Sequence, residues 1–279
     1  HDIDTKLVDS DKTNLENQIN YNFVKDDMSL NISGTVYENL RKTSGDRYEY
    51  ILPKVLFGKS FFTEKFGTID FTSDTLYRNY DTNKHITSLT NDIVWNPASY
   101  ISKYGFMNNL VGAIKNINYE AKNTSDHKVD GVVNELSSVL TFKSSLPMKK
   151  EGIKHSNIFS PNFMLRYAPG HMKDLRGEVE TFKYADLFST NRTSVIENGL
   201  SAVLGFEFLI NDKISDTEEK EKLSISMGQV FSSKRNEDIP RSTSLDQKMS
   251  DVVGEINYNF SEMGDIKYKF SLDHNFNDL

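Results

Sequence analysis

Cysteine is absent from the 279 residues of this chain. Its absence excludes a disulfide framework and a thiolate metal site, and it leaves the redox compartment open. The sequence also lacks a run of the roughly 18 to 20 uninterrupted apolar residues that a membrane-spanning helix needs. These residues therefore predict neither a membrane-spanning helix nor a disulfide-stapled scaffold.

Both ends of the sequence lack the marks of a complete chain. The start, at His1, has neither an initiating methionine nor the basic and then apolar segments of a secretory signal. The end, at Leu279, lacks the terminal aromatic residue that is typical of complete outer-membrane barrels. We therefore expect a fragment or a processed piece, whose missing signal says nothing about the destination of the parent protein.

Motifs for catalysis, metal binding and nucleic-acid binding are also scarce. The net charge of -7 argues against nucleic acid, which favours a basic protein face. Asp9, Asp11 and Thr13 resemble a calcium loop but lack its glycine and its closing glutamate. No Gly-x-Ser-x-Gly motif marks a hydrolase, although a catalytic triad is recognised by a geometry that sequence does not give. The histidines are too widely spaced for a zinc site: His1, His85, His127, His155, His171 and His274. We predict no enzyme activity, no cofactor and no metal.

Apolar residues are few for an ordinary globular core. Only 37% of the residues are hydrophobic, 26% are charged, and the mean hydropathy is -0.54. Disorder would fit these values, but 18 Phe and 13 Tyr at alternating positions argue against it. A β-barrel with a wet interior reconciles both observations, because its lumen and loops are polar and only its outward band is apolar.

Two neighbouring segments near the C-terminus alternate apolar and polar residues with a period of two. Successive side chains of a strand point to opposite faces, so this pattern predicts a hairpin with one apolar and one polar face. A similar stripe runs through residues 200–210. The candidate lipid-facing residues are Ile256, Tyr258, Phe260, Tyr268, Phe270, Leu204, Phe206 and Phe208. The candidate lumen-facing residues are Glu255, Asn257, Asn259, Lys267, Lys269 and Asp273.

The whole chain is predicted to be all-β. About a dozen segments have the length of a tilted membrane strand. They are residues 16–24, 28–37, 47–57, 67–79, 84–96, 106–122, 131–143, 159–167, 198–210, 221–231, 252–260 and 266–272. Long polar connections at 168–197, 212–220 and 232–250 are predicted to be structureless loops of the kind that barrels carry on their outer side. Residues 1–279 show no linker or second domain, and we predict a single region.

Several of these strand and turn sequences resemble those of a known family. The blocks are Arg-Tyr-Glu-Tyr-Ile-Leu-Pro at 47–53, Tyr-Asp-Thr-Asn at 80–83, Leu-Arg-Tyr-Ala-Pro-Gly at 165–170, Leu-Ser-Ile-Ser-Met-Gly-Gln-Val-Phe at 223–231 and Asp-Val-Val-Gly-Glu-Ile at 251–256. They are similar to blocks of the LPS-assembly family LptD, also called organic solvent tolerance protein or OstA, in the form typical of alphaproteobacteria. The resemblance covers most of the chain, in the same order, within the C-terminal barrel domain of that family.

This resemblance implies an antiparallel transmembrane β-barrel segment of about 11–12 strands, part of a larger barrel in the Gram-negative outer membrane. In that family the barrel is a translocon for lipopolysaccharide (LPS) and not an enzyme. It receives LPS from a periplasmic bridge protein of the LptA type through an N-terminal β-jellyroll, and a lipoprotein of the LptE type plugs its lumen. The first and last strands part as a gate, and membrane lipid surrounds the wall. We expect both barrel ends and the jellyroll to lie outside residues 1–279, so no gate residue is carried over.

Two other functions stay open on the residues alone. A passive outer-membrane porin would share the alternating pattern but should form a complete barrel with its own closing strand. A soluble periplasmic β-rich binding protein would use the apolar stripes as a shared core. Conductance separates an open porin from a plugged translocon, and heat-modifiable migration in a detergent gel separates a membrane barrel from a soluble sheet.

Overall fold

Strands make up most of the residues that the structure, a computed structural model, describes. These residues are 13–41, 47–80, 84–123, 131–172, 174–178, 180–193, 195–215, 218–261 and 264–273. The strands are β1 (Asn14–Lys25), β2 (Met28–Asn39), β3 (Tyr48–Thr63), β4 (Gly67–Tyr80), β5 (Lys84–Asn96), β6 (Tyr100–Ile101), β7 (Met107–Lys122), β8 (Gly131–Ser145), β9 (Met148–Glu151), β10 (His155–Ala168), β11 (Gly199–Lys213), β12 (Glu219–Ser232), β13 (Val252–Ser261) and β14 (Gly264–Leu272). One short helix, α1 (Tyr184–Leu187), and a 3-10 turn (Arg241–Thr243) lie between them. In this part of the chain no helix is long and apolar enough to cross a membrane.

The strands form one antiparallel sheet, in which twelve follow one another in chain order. The two short strands stand off this path, because β6 pairs only with β7 and β9 only with β10. Within the described residues, β1 and β14 each have one neighbouring strand. The predicted all-β antiparallel fold is confirmed, and the twelve predicted strands correspond to the twelve strands of the main path.

Several strands run further than the apolar pattern predicts. β3 continues to Thr63, six residues past the predicted 57, where Lys59 pairs with Met28 at the start of β2. The register explains the first part of this extension, because β2 pairs with β3 as far as Lys59 and the Ser60 N–H donates to the Asp27 carbonyl in the turn after β1. Backbone hydrogen bonding thus extends a strand past the point where side-chain alternation fades.

The chain divides into two compact units. Unit 1 comprises His1–Glu64, Thr68–Val94 and Ile114–Leu136, and unit 2 comprises Lys65–Gly67, Trp95–Ala113 and Ser137–Leu279. In unit 1, the polar side chains of β1 and β2 face one another in the ladder, where Asn22 lies opposite Asn31 and Asn20 opposite Ser33. The Asn31 amide donates to the side-chain oxygens of both Asn20 and Asn22. The apolar cluster of this unit is small, with Ile86 and Ala121 buried beside Tyr119.

Unit 2 contains the largest apolar cluster and corrects the prediction for two long connections. The structureless loops predicted at 168–197 and 232–250 correspond to connections at 169–198 and 233–251, which contribute buried core residues in their described parts: Leu175, Phe182, Leu187, Ile196, Ile239 and Leu245. We call these two stretches the covering segments. The third predicted loop, 212–220, is also wrong in extent, because β11 continues to Lys213 and β12 begins at Glu219. The connection after β8 contains β9, which forms a hairpin with the start of β10.

Candidate functional site on two sheet faces

The register of unit 2 aligns the apolar stripes of neighbouring strands on one face of the sheet. Phe206 of β11 lies opposite Met227 of β12, and Phe208 lies opposite Ile225. Ile225 in turn lies opposite Ile256 of β13. Directly opposed residues share a face, so the stripes of three strands combine into one surface, which we call the apolar face. Its members are Leu204, Phe206, Phe208, Ile225, Met227, Ile256, Tyr258, Phe260, Tyr268 and Phe270.

All eight candidate lipid-facing residues belong to the apolar face. Several are unusually open for large apolar side chains: Leu204 is 53% exposed, Phe260 58% and Tyr268 59%. The rings of Phe159 and Phe206 contact one another across β10 and β11, with centroids 5.5 Å apart. A contiguous exposed apolar surface of this kind marks contact with a partner or a membrane and is rare on a soluble monomer.

The candidate lumen-facing residues lie on the opposite face. Asn257 lies opposite Lys267 in the β13–β14 ladder, and Glu255 lies opposite Lys269. The Glu255 carboxylate is 3.7 Å from Lys267 and 3.5 Å from Lys269, so one acid serves two lysines. Asn259 donates from its side chain to the backbone carbonyl of Glu221, 2.9 Å away. Asp273 follows β14 on the same parity as Lys267 and Lys269.

The face that carries the candidate lumen-facing residues is not polar throughout, because the covering segments pack on part of it. Val203, Val230 and Val253, which share the parity of Asn257, are each at most 1% exposed. They pack with Met164 of β10 and with core residues of the covering segments. We call this surface the covered face. This part of the sheet is therefore covered by the chain's own apolar side chains and not by water.

A pair of glycines makes room for helix α1 on the covered face. Gly205 and Gly228 lie directly opposite one another in β11 and β12. A Cβ atom on Gly228 would collide with the Leu187 side chain, and one on Gly205 would lie 3.1 Å from the ring of Phe188. Two adjacent positions without side chains thus form a shallow seat into which Leu187 and Phe188 fit.

A buried ionic cluster fixes the first covering segment to the sheet. Arg192 donates from Nε and Nη2 to the two carboxylate oxygens of Glu197, at 2.9 and 3.0 Å, and from Nη2 to the Ser201 hydroxyl of β11 at 2.8 Å. Arg166 of β10 donates to the backbone carbonyls of Thr190 and Glu197, at 2.7 and 2.8 Å. A bidentate arginine–carboxylate pair is both strong and geometrically specific. The segment is therefore held to two strands by directional bonds as well as by apolar packing.

Sequence reasoning missed the seat and the cluster. Gly205 and Gly228 could have indicated the seat, because an isolated glycine inside a strand often marks a close approach of another backbone or side chain. Arg166 lies within the family-like block at 165–170, but the polar alternation of its strand gives no sign that its side chain is buried. Arg192 and Glu197 lie in an aperiodic stretch, where neither a helical nor a strand period could pair them.

The remaining sequence candidates do not form a site. Among the described residues, no group of three or more His, Asp or Glu could hold a metal ion. His155 contacts the Asp212 carboxylate through Nδ1, at 2.5 Å, near one end of β10. Asp9 and Asp11 of the calcium-like stretch lie outside the described residues, as do His1, His127 and His274.

Asp246, in the second covering segment, is a titratable group whose pKa differs between the folded and unfolded states. Burial raises the pKa of the Asp246 carboxyl, and its Oδ1 has no hydrogen-bond partner among the described residues. A carboxyl whose pKa is higher in the folded state than in the unfolded state is protonated more readily when the protein is folded. The folded protein therefore loses stability as the pH rises from the unfolded pKa through the folded pKa. We expect Asp246→Asn to slow hydrogen exchange in the second covering segment at pH 7, and to change it little below the unfolded pKa. Exchange that is equal in the two proteins at both pH values would contradict this prediction.

Comparison with known proteins adds one match. The family model for LPS transport system D, LptD, matches residues 1–279. No match was found among curated proteins. The family match covers both sheet faces and both covering segments.

Proposed function

Because this chain belongs to the LptD family of LPS transport proteins, we propose that it forms part of the wall of a translocon that assembles LPS at the cell surface. The family acts in LPS transport and is not an enzyme family, and the chain is an outer-membrane protein. We propose that residues 1–279 form a single region of the family's C-terminal barrel domain. The observation that carries it is the division of the sheet into an apolar face and a covered face.

The apolar face is proposed to meet membrane lipid. Lipid offers no hydrogen bonds, so a wall that touches it must pair its backbone groups internally, which a continuous antiparallel sheet does. Large exposed apolar side chains, among them Leu204, Phe260 and Tyr268, are then solvated by acyl chains and not by water. A soluble sandwich is less compatible with this surface, because its apolar stripes would lie in a shared core.

The opposite face is proposed to point to the barrel interior. Its charged part, around Glu255, Lys267 and Lys269, offers polar contacts for LPS or for a plug lipoprotein of the LptE type. The part under the covering segments is already occupied by the chain itself. A plug is therefore proposed to contact the exposed lysines of β14 and not the surface around Val203 and Val230. A bridge protein of the LptA type is proposed to deliver the LPS.

The connections of unit 2 support an orientation for the wall. The covering segments of 30 and 19 residues, 169–198 and 233–251, join strands at one end of the ladder. The connections at the other end of the same strands are shorter: nine residues at 146–154, which include β9, and the turns at 214–218 and 262–263. Outer-membrane barrels have short periplasmic turns and longer outer loops. We propose that the covering segments lie on the extracellular side.

Photocrosslinking in cells tests the assignment of the two faces. A photoreactive residue placed at Tyr258 or Tyr268 of the intact parent protein is expected to trap membrane lipid. The same residue at Asn257 or Lys267 is expected to trap LPS or a lipoprotein, because neighbouring positions on a strand point to opposite faces. Each adjacent pair is its own control, since the two probes lie one residue apart and share the same depth.

The other outcomes distinguish the competing functions. Tyrosine probes that trap lipid, together with Asn257 and Lys267 probes that trap nothing, would favour a passive porin. Tyrosine probes that trap only their own chain would overturn the membrane assignment and favour a soluble sheet.

A further inference from the structure

A cavity of about 320 Å³ opens in unit 2 beside helix α1. It combines charged, amide and aromatic groups, among them Asn109, Lys143, Ser145, Asn162, Phe188 and Glu207. Lys143 lies opposite Met164, which in turn lies opposite the buried Val203, so the lysine is on the covered face. The cavity therefore lies on the side of the sheet that is proposed to face the barrel interior.

Lys143 is the one cationic side chain among the described residues that line this cavity. Its side chain is partly buried, and no hydrogen bond or ion pair joins it to another residue in the described part of the chain. An ammonium group withdrawn from water without a counter-charge is costly, and it is normally compensated by an anion. A ligand that brings a negative charge into the cavity would remove that cost.

The one carboxylate that lines the cavity is already engaged. The Tyr184 hydroxyl of helix α1 donates to Glu207 at 3.0 Å. Burial, followed by the neighbouring Glu207 charge, raises the pKa of Tyr184, so this hydroxyl remains a proton donor across the physiological range. Glu207 thus holds helix α1, and no hydrogen bond or ion pair joins it to Lys143 among the described residues.

The remaining groups define which anion would fit. The amides of Asn109 and Asn162 can each donate and accept hydrogen bonds, as sugar hydroxyls require. Phe188 offers an apolar surface, and Ser145 offers a further hydroxyl. This combination suits a charged sugar better than a bare ion or an acyl chain, because an ion needs no aromatic surface and an acyl chain needs no amides.

We propose that this cavity binds an anionic saccharide, a sugar that carries a phosphate or a carboxylate, with Lys143 pairing its charge. The inference rests on the proposed function, in which the saccharide is part of the LPS that is transported. Lys143 is here a specificity residue: it selects the charged sugar and leaves neutral ones unrecognised.

Crosslinking at the cavity tests the role of Lys143. A photoreactive residue at Ser145 of the intact protein in cells is expected to trap LPS, and Lys143→Gln is expected to reduce that signal roughly tenfold, as the loss of one charged hydrogen bond does. Lys143→Arg, which keeps the charge, should retain most of the signal. Lys150→Gln is the matched control, because Lys150 is an exposed lysine of the same unit outside the cavity. Heat-modifiable migration verifies that each variant has assembled.

Two results would separate failure of this inference from failure of the proposed function. An unchanged Ser145 signal in Lys143→Gln, with LPS still trapped at Asn257, would overturn the cavity assignment alone. Loss of LPS trapping at both positions in the otherwise unaltered protein would overturn the translocon itself.

Competition with purified full-length protein in lipid discs identifies the source of the charge. A sugar phosphate, glucosamine 6-phosphate, is expected to reduce LPS crosslinking at Ser145 at a concentration at least about tenfold below that of inorganic phosphate. Equal potency of the two compounds would mean a bare anion site and would overturn the saccharide assignment. Failure of both to compete, at concentrations well above those at which sugar phosphates bind proteins, would overturn the site as a whole.

Discussion

Glu197→Ala is expected to lower the free energy that holds the first covering segment on the sheet by about 3–5 kcal/mol, the usual cost of breaking a buried ion pair on one side. The side chains of Arg192 and Glu197 are only 1% and 5% exposed. Removing the carboxylate leaves the Arg192 guanidinium buried without a counter-charge. It also leaves that charge near Arg166, which is itself 1% exposed.

Hydrogen exchange of the intact protein measures this effect directly. Amides of residues 180–193 should exchange roughly 100- to 5,000-fold faster in Glu197→Ala, because local opening is the step that admits solvent. Amides of the β11–β12 ladder should change far less. The double variant Arg192→Met with Glu197→Leu should recover part of the protection, since it removes the unpaired Arg192 charge while Arg166 keeps its two backbone carbonyl acceptors.

A matched control lies at the surface of the same segment. Arg176 donates to both carboxylate oxygens of Asp174 at 3.0 and 2.9 Å, but these side chains are 61% and 49% exposed. The chemistry is the same and only the burial differs, so Asp174→Ala should cost at most about 1 kcal/mol. Equal effects of Asp174→Ala and Glu197→Ala would show that burial does not set the strength of the Arg192 pair.

The strands could be predicted from the sequence because their geometry imposes a period. The stripe at 200–210 predicted β11, since each second side chain of a strand points to the same side of the sheet. The same rule placed Asn257 and Tyr258 on opposite faces of β13. Family resemblance then supplied the membrane context, which the alternation alone shares with porins and soluble sheets.

The covering segments could not be predicted in this way. Their buried residues, such as Leu187 and Leu245, follow no period, because an irregular backbone turns each side chain by a different angle. Their polar composition favoured exposed loops, yet the charged side chains of Arg192 and Glu197 are buried and pair with one another. Long-range packing on the sheet decides their conformation, and a local pattern does not contain that information.

Gly228→Ala is expected to destabilise the packing of helix α1 by about 1–3 kcal/mol, the range for overfilling a packed core. The added methyl group would meet the Leu187 side chain, the Leu204 carbonyl oxygen at 2.7 Å and the Gly205 Cα at 2.9 Å. The last two atoms belong to the backbone of β11 and cannot rotate away. Both the seat and the adjacent ladder must therefore shift to accept the new group.

The double variant Gly228→Ala with Leu187→Ala divides this cost into two parts. Shortening Leu187 removes the collision with helix α1 but leaves the contacts with the β11 backbone. The two substitutions should thus be non-additive in hydrogen exchange of residues 180–193, while the loss of protection in the β11–β12 ladder should persist. Full recovery of the ladder in the double variant would contradict the backbone contribution.

Gly58→Ala provides the control for inserting a methyl group into a strand glycine. Among the described residues, the only atom within 4 Å of the new group would be the Ser29 hydroxyl oxygen, at 2.9 Å, which can rotate away. Replacing glycine also restricts the unfolded chain, so this substitution should be close to neutral or mildly stabilising. A cost at Gly58 equal to that at Gly228 would mean that strand glycines in this sheet are sensitive in general, and the seat for Leu187 would then have no special role.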